Sequence, residues 1–105
     1  MIDLALIVVG VFTQYPSPEH PAWDIACRTG RPVHAVIDGK LTTKRNGRMG
    51  NMVIIEGPQG RTLYAHLQTV TEPRQVVSGK VVGTCGNTGS WSTGPHVHVE
   101  YTPPD

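Results

Sequence analysis

The sequence predicts an all-β protein of short antiparallel strands, arranged as a β-sandwich or an open, barrel-like pair of sheets. Two observations lead to that class. Glycine (12) and proline (9) together supply a fifth of the 105 residues without any period, so they punctuate turns rather than mark disorder. Between them lie short runs of β-branched and aromatic residues, and no stretch carries a convincing helical period. Thr69–Gln75 is the nearest weak helical candidate.

The expected strands follow in chain order. Leu4–Thr13 opens with the apolar run LALIVVGVF, read as a buried first strand. It is far too short to span a bilayer and lacks the basic start and small-residue cleavage site of an export signal. Trp23–Ala26, Pro32–Asp38, Met52–Glu56, Thr62–His66, Gln75–Val77, Val81–Cys85 and His96–Tyr101 complete the set. Asp38-Gly39, Asn46-Gly47 and the stretch from Gly57-Pro58 to Gly60 are turn signals between them. Residues 42–50, with Lys44, Arg45 and Arg48, read as a solvated basic loop. No repeat or composition shift divides the chain, so residues 1–105 are expected to form a single domain.

Net charge is +1, with charged residues at 16%, so no strong field favours nucleic acid or a membrane surface. The two cysteines, Cys27 and Cys85, lack metal-site spacing. A buried thiol pair is the first reading and a disulfide the second, which leaves the redox compartment open.

Three short motifs carry chemistry. In GPHVHVE, residues 94–100, strand alternation puts His96 and His98 on one face and turns Val97 and Val99 into a core. Alone, such a pair reads as two surface histidines on an edge strand. HPAWD sets His20 four residues before Asp24, close enough for both to meet one ion from a loop entering a strand, though the pair alone reads equally as a loop histidine and a turn aspartate. TLYAHL puts Thr62, Tyr64 and His66 on one face by the same alternation, with Leu63, Ala65 and Leu67 on the other; taken alone, His66 reads equally as a partly buried histidine satisfied by backbone. His34 belongs to none of these motifs and reads as an ordinary strand residue. Two histidines and an aspartate would complete a three-ligand zinc set with the fourth position open. Two further histidines would then remain for proton transfer near neutral pH.

HxxxD, then TxLYAHL, GxxGNTG and STGPHVHVE, in that order, resemble the lysostaphin-like zinc metalloendopeptidases, family twenty-three of the metallopeptidases. The resemblance runs from about Val11 to Tyr101, and the stretches TGRPVHAVIDGKL and VVSGKVVGTCGNTG agree with it. It implies one zinc ion per chain, held by His20, Asp24 and His98. His66 and His96 would orient or deprotonate the attacking water and stabilise the tetrahedral transition state. Glu100, on the face of His96 and His98, is either an acceptor for an imidazole N–H or a plain surface carboxylate.

Tyr64, Trp91 and Asn87 are candidate substrate contacts. Trp91 lies in a turn one residue longer than the family's common form, where it either borders a groove or packs the loop onto the body. Ala22 replaces the usual glycine of HxGxD and is followed by the bulky Trp23, a pair that could narrow the mouth of the site.

The implied substrate is bacterial peptidoglycan, cleaved in its cross-bridge or stem peptide. The implied setting is extracellular or in the cell envelope, as a monomer or as part of a larger lysin or phage tail assembly. The competing reading is an inactive binding, regulatory or structural module of the same fold.

Overall fold

The computed structural model describes residues 4–17 and 22–105. His20 therefore lies outside the described residues. Among the described residues nine strands follow a 3-10 turn at Leu4–Leu6: β1 Val11–Gln14, β2 Trp23–Ala26, β3 Pro32–His34, β4 Gly39–Asn46, β5 Gly50–Gly57, β6 Gly60–Leu67, β7 Arg74–Val76, β8 Val81–Thr84 and β9 His96–Thr102. Seven of them form one sheet in the order β1-β2-β9-β6-β5-β4-β7, and β3 pairs with β8 in a second. All pairings are antiparallel. The expected all-β class and its antiparallel sheets are what the chain adopts.

The core lies on one face of the large sheet. Ile25 from β2, Val97 and Val99 from β9, Tyr64 from β6, and Val53 and Ile55 from β5 are all fully buried there. They pack with Val33 and Val82 of the small sheet. Each such side chain contributes about 1.5–3 kcal/mol of burial. The alternation expected in HVHVE thus holds, with both valines inward.

Two expectations about the elements are corrected. The opening apolar run is not a buried strand: Leu4–Leu6 turns as 3-10, only Ile7 and Val8 are buried, and Val9 and Val11 are 70% and 69% exposed. Among the described residues β1 is an edge strand that pairs with β2 alone, which leaves its other backbone edge uncovered. Residues 42–46 are not loop: β4 runs through Lys44 and Arg45 to Asn46, paired with Asn51–Glu56 and Gly50 of β5. Its charged side chains point to solvent along a strand held by backbone pairing, which composition alone cannot reveal. At Thr69–Gln75, the weak helical candidate, Val70 bridges Gly83 and β7 pairs with β4, in keeping with the all-β expectation.

Cys27 and Cys85 form a disulfide, in place of the expected thiol pair. The fold brings the end of β2 beside the residue after β8, a proximity that the sequence separation of 58 hides. The closed loop contributes about 4 kcal/mol in the chain-entropy picture.

Candidate active site

Asp24, His96, His98 and His66 meet on the face of β2, β9 and β6 opposite the core, on three adjacent strands. Asp24 pairs directly with His98, and Ala26 with His96. The His66 ring centroid lies 4.9 Å from that of His96 and 6.0 Å from that of His98.

His66 reaches this face through a bulge. Tyr64 pairs with Val53 and Leu67 with Asn51, so β6 carries one residue more than β5 between these points. The extra residue is absorbed at His66, whose φ of 63° is the one positive value at a non-glycine among the described residues. Such a conformation costs on the order of 1–3 kcal/mol and persists only where its surroundings impose it. Here they do: His66 N–H donates to Met49 O at 2.9 Å, and its Nδ1–H donates to Thr88 O at 2.6 Å.

The bulge also corrects the expected facing of TLYAHL. Tyr64 does not share a face with His66: it pairs with Val99 in the core, is fully buried, and its hydroxyl accepts from Val36 N–H at 3.3 Å. Burial raises the pKa of its phenol and keeps it neutral. Tyr64 is thereby removed from the substrate contacts. Strict alternation failed because an inserted residue resets the phase of a strand.

Hydrogen bonds set the imidazoles. With Nδ1–H of His66 given to Thr88 O, Nε2 is its free ring nitrogen. His96 follows the same pattern, donating Nδ1–H to Gly94 O at 2.7 Å, with Nε2 3.8 Å from Asp24 Oδ1. His98 is turned the other way: Nδ1 lies 3.2 Å from Asp24 Oδ1, and Nε2–H donates to Glu100 Oε2 at 2.9 Å. Burial, the largest influence, holds the His66 pKa below its ordinary 6.5, and the neighbouring His96 and His98 push the same way. The bond to Thr88 and the charge of Asp24 oppose them.

The donor chemistry can be tested against zinc. Carboxylate oxygen and imidazole nitrogen are both zinc donors, and two donors on one tetrahedral ion stand about 3.3 Å apart. The Asp24 Oδ1 to His98 Nδ1 separation of 3.2 Å fits that edge. Among the described residues no three such groups are placed to hold one metal ion; the third member of the expected set, His20, lies outside them.

Two clefts flank the cluster. One, of about 260 Å³, is lined by Asp24, His96, Trp91, Thr13 and Thr93 among others. The other, of about 400 Å³, is lined by Arg45, Asn46, Asn51 and Thr88 with neighbouring glycines. The smaller contains Asp24 and His96 of the cluster, and the larger meets the site only through Thr88, the residue that holds His66.

Trp91 is 61% exposed; it borders the smaller cleft, and its ring lies 5.2 Å from the Arg48 guanidinium. Asn87 is exposed and accepts a hydrogen bond from the Ser92 hydroxyl of the same loop. Trp23 does not narrow the site, because it packs against the core on the face opposite Asp24.

Sequence reasoning missed Thr88, Met49 and Gly94, which act through backbone carbonyls that any residue type possesses. A partial signal existed in Gly50 and Gly89, both at positive φ. A Cβ on Gly50 would come within 2.3 Å of Thr88 Oγ1, and one on Gly89 within 2.3 Å of Arg48 O.

An antiparallel sheet carrying a carboxylate and three imidazoles at the junction of its central strands defines a hydrolase-like site on a β-scaffold. Comparison with known proteins gives the family. Residues 18–103 match the model of peptidase family M23, and the chain belongs to that family. It is 45% identical over 84 residues to the DD-carboxypeptidase/endopeptidase Mpg of Neisseria meningitidis serogroup B, covering 77% of this chain and 19% of that protein. The chain thus spans about a fifth of the length of the curated relative it matches. The catalytic domain of the antimicrobial peptidase lysostaphin from Staphylococcus simulans superposes with a TM-score of 0.74 at 25% identity, over 91% of this chain and 77% of that one. A zinc-containing peptidase from Vibrio cholerae gives 0.70 at 25% identity, over 97% and 37%.

Proposed function

We propose that this chain is a zinc-dependent endopeptidase domain that hydrolyses peptide bonds in bacterial peptidoglycan, acting outside the cell or within its envelope. The observation that carries the proposal is the division among the imidazoles. His98 turns Nδ1 toward Asp24, whereas His66 and His96 have their Nδ1 atoms occupied by carbonyls and keep Nε2 for the reaction. Family membership and the peptidase relatives support the same reading.

His20, Asp24 and His98 would hold the metal. A zinc ion bound there would polarise the scissile carbonyl and acidify a water. The chain's own groups do the rest. Neutral His66, or neutral His96, accepts the proton of the attacking water at Nε2. The partner imidazole, when it carries a proton on Nε2 as well as on Nδ1, donates that N–H to the oxygen on which negative charge develops. Glu100 accepts the Nε2–H of His98, which fixes the ring and strengthens Nδ1 as a donor. Trp91, with Asn87 in the same loop, lies against the substrate peptide at the rim of the smaller cleft.

The test is clearance of a purified peptidoglycan suspension. Hydrolysis that stops with a chelator and returns with zinc is expected, with mass spectrometry of the fragments naming the bond. Binding to the suspension without fragment release, at any zinc concentration, would establish the inactive module instead.

A further inference from the structure

Strand β9 changes neighbours at His96. β6 pairs with it only from Thr102 back to His98, because the bulge at His66 ends the ladder. Gly86 takes the place of β6: His96 N–H donates to Gly86 O at 3.0 Å, and the two residues form an isolated bridge. On the other side β2 ends at Ala26, opposite His96, and the next residue, Cys27, donates its N–H to Pro95 O at 3.3 Å. His96 is therefore flanked by the residue before Cys27 on one side and by the residue after Cys85 on the other. These two cysteines are covalently joined. Further along the same segment, Thr88 O takes the Nδ1–H of His66.

We infer that the Cys27–Cys85 disulfide is a clamp that positions the His96–His66 pair; its catalytic consequence rests on the peptidase reading above, whereas its effect on the local backbone does not. The bridge fixes the distance between the two flanks of β9 where the regular ladder has run out on one of them. Through residues 86–88 it also fixes the carbonyl from which His66 hangs. Neither cysteine touches the reacting groups, so both are positioning residues. Asp24 and His98 do not depend on the clamp, because β9 is paired on both sides at His98. Metal binding and proton transfer are thus anchored by different parts of the fold.

The test is the Cys27→Ala/Cys85→Ala variant, studied well below its melting midpoint. In zinc-free protein, amide hydrogen exchange at His96 and at residue 27 is expected to speed up about tenfold or more, with His98 and Val99 nearly unchanged. In zinc-loaded enzyme, kcat is expected to fall by about tenfold to a hundredfold, with KM and zinc affinity within about twofold. A merely structural bridge lowers the melting midpoint but leaves both readouts untouched below it, and that result would overturn the proposal.

If the variant does not fold, wild-type protein reduced with a trialkylphosphine takes its place, with His96 exchange again expected to accelerate while circular dichroism stays native. Loss of fold in both samples counts against the clamp, since the bridge would then hold the whole domain. An inactive wild-type enzyme would defeat the peptidase reading alone, because the exchange measurement would still decide the clamp.

Discussion

Asp24 and His98 face each other across β2 and β9 in direct register, with Oδ1 and Nδ1 3.2 Å apart. Behind the imidazole, Glu100 takes its other nitrogen at 2.9 Å. A ring held at Nε2 offers Nδ1 in one fixed direction. Replacing Glu100 by glutamine removes the charge that favours this orientation. Zinc affinity is expected to weaken by about tenfold to a hundredfold, as read by competition with a chromogenic chelator. Unchanged affinity would return Glu100 to the role of a plain surface carboxylate.

The burial of His66, only 3% exposed, disfavours its charged form and lowers its pKa below 6.5. The unfolded chain therefore takes up this proton at a higher pH than the folded one. The stability associated with neutral His66 is fully present above the unfolded value and is lost as pH falls through the depressed folded one. In zinc-free protein the His66 ring is expected to titrate below 6.5 by NMR, a midpoint at or above that value being the contrary result. A base that must be neutral loses function in the same direction, so the acid limb of activity belongs below neutrality.

Gly89 has a φ of +86° and lies where the loop of Trp91 meets the β4–β5 turn. Alanine there would strain the backbone and push against Arg48 O. A loss of about 1–3 kcal/mol in chemical denaturation is expected, along with lower activity, because residues 88–91 carry both the carbonyl that holds His66 and the indole at the cleft.

Much of this arrangement was legible in the residues. HVHVE forms the strand it should, with the histidines on one face and the valines in the core, because period-two alternation survives wherever one side is buried. Trp23–Ala26 matched its strand residue for residue, and the turns at Asn46-Gly47 and Gly57–Gly60 stand where the glycines put them. Tyr64 was misplaced because a bulge is a local change of phase that residue types do not announce. The β4 strand was hidden because Lys44 and Arg45 occupy solvent-facing ladder positions. The early apolar run misled because hydrophobicity does not say whether a strand lies at an edge. The disulfide depends on two distant segments meeting, and the carbonyls of Thr88 and Gly94 depend on backbone direction. His20 was read from HPAWD and lies outside the described residues.

The central claim is that His98 serves the metal and His66 the reaction, and metal content read together with turnover tests it most directly. Purified His98→Ala protein is expected to retain almost no zinc and to be inactive. Purified His66→Ala protein is expected to keep close to one zinc per chain and to lose turnover by about a hundredfold or more. Equal loss of zinc from both variants, or full activity in His66→Ala, would contradict the account.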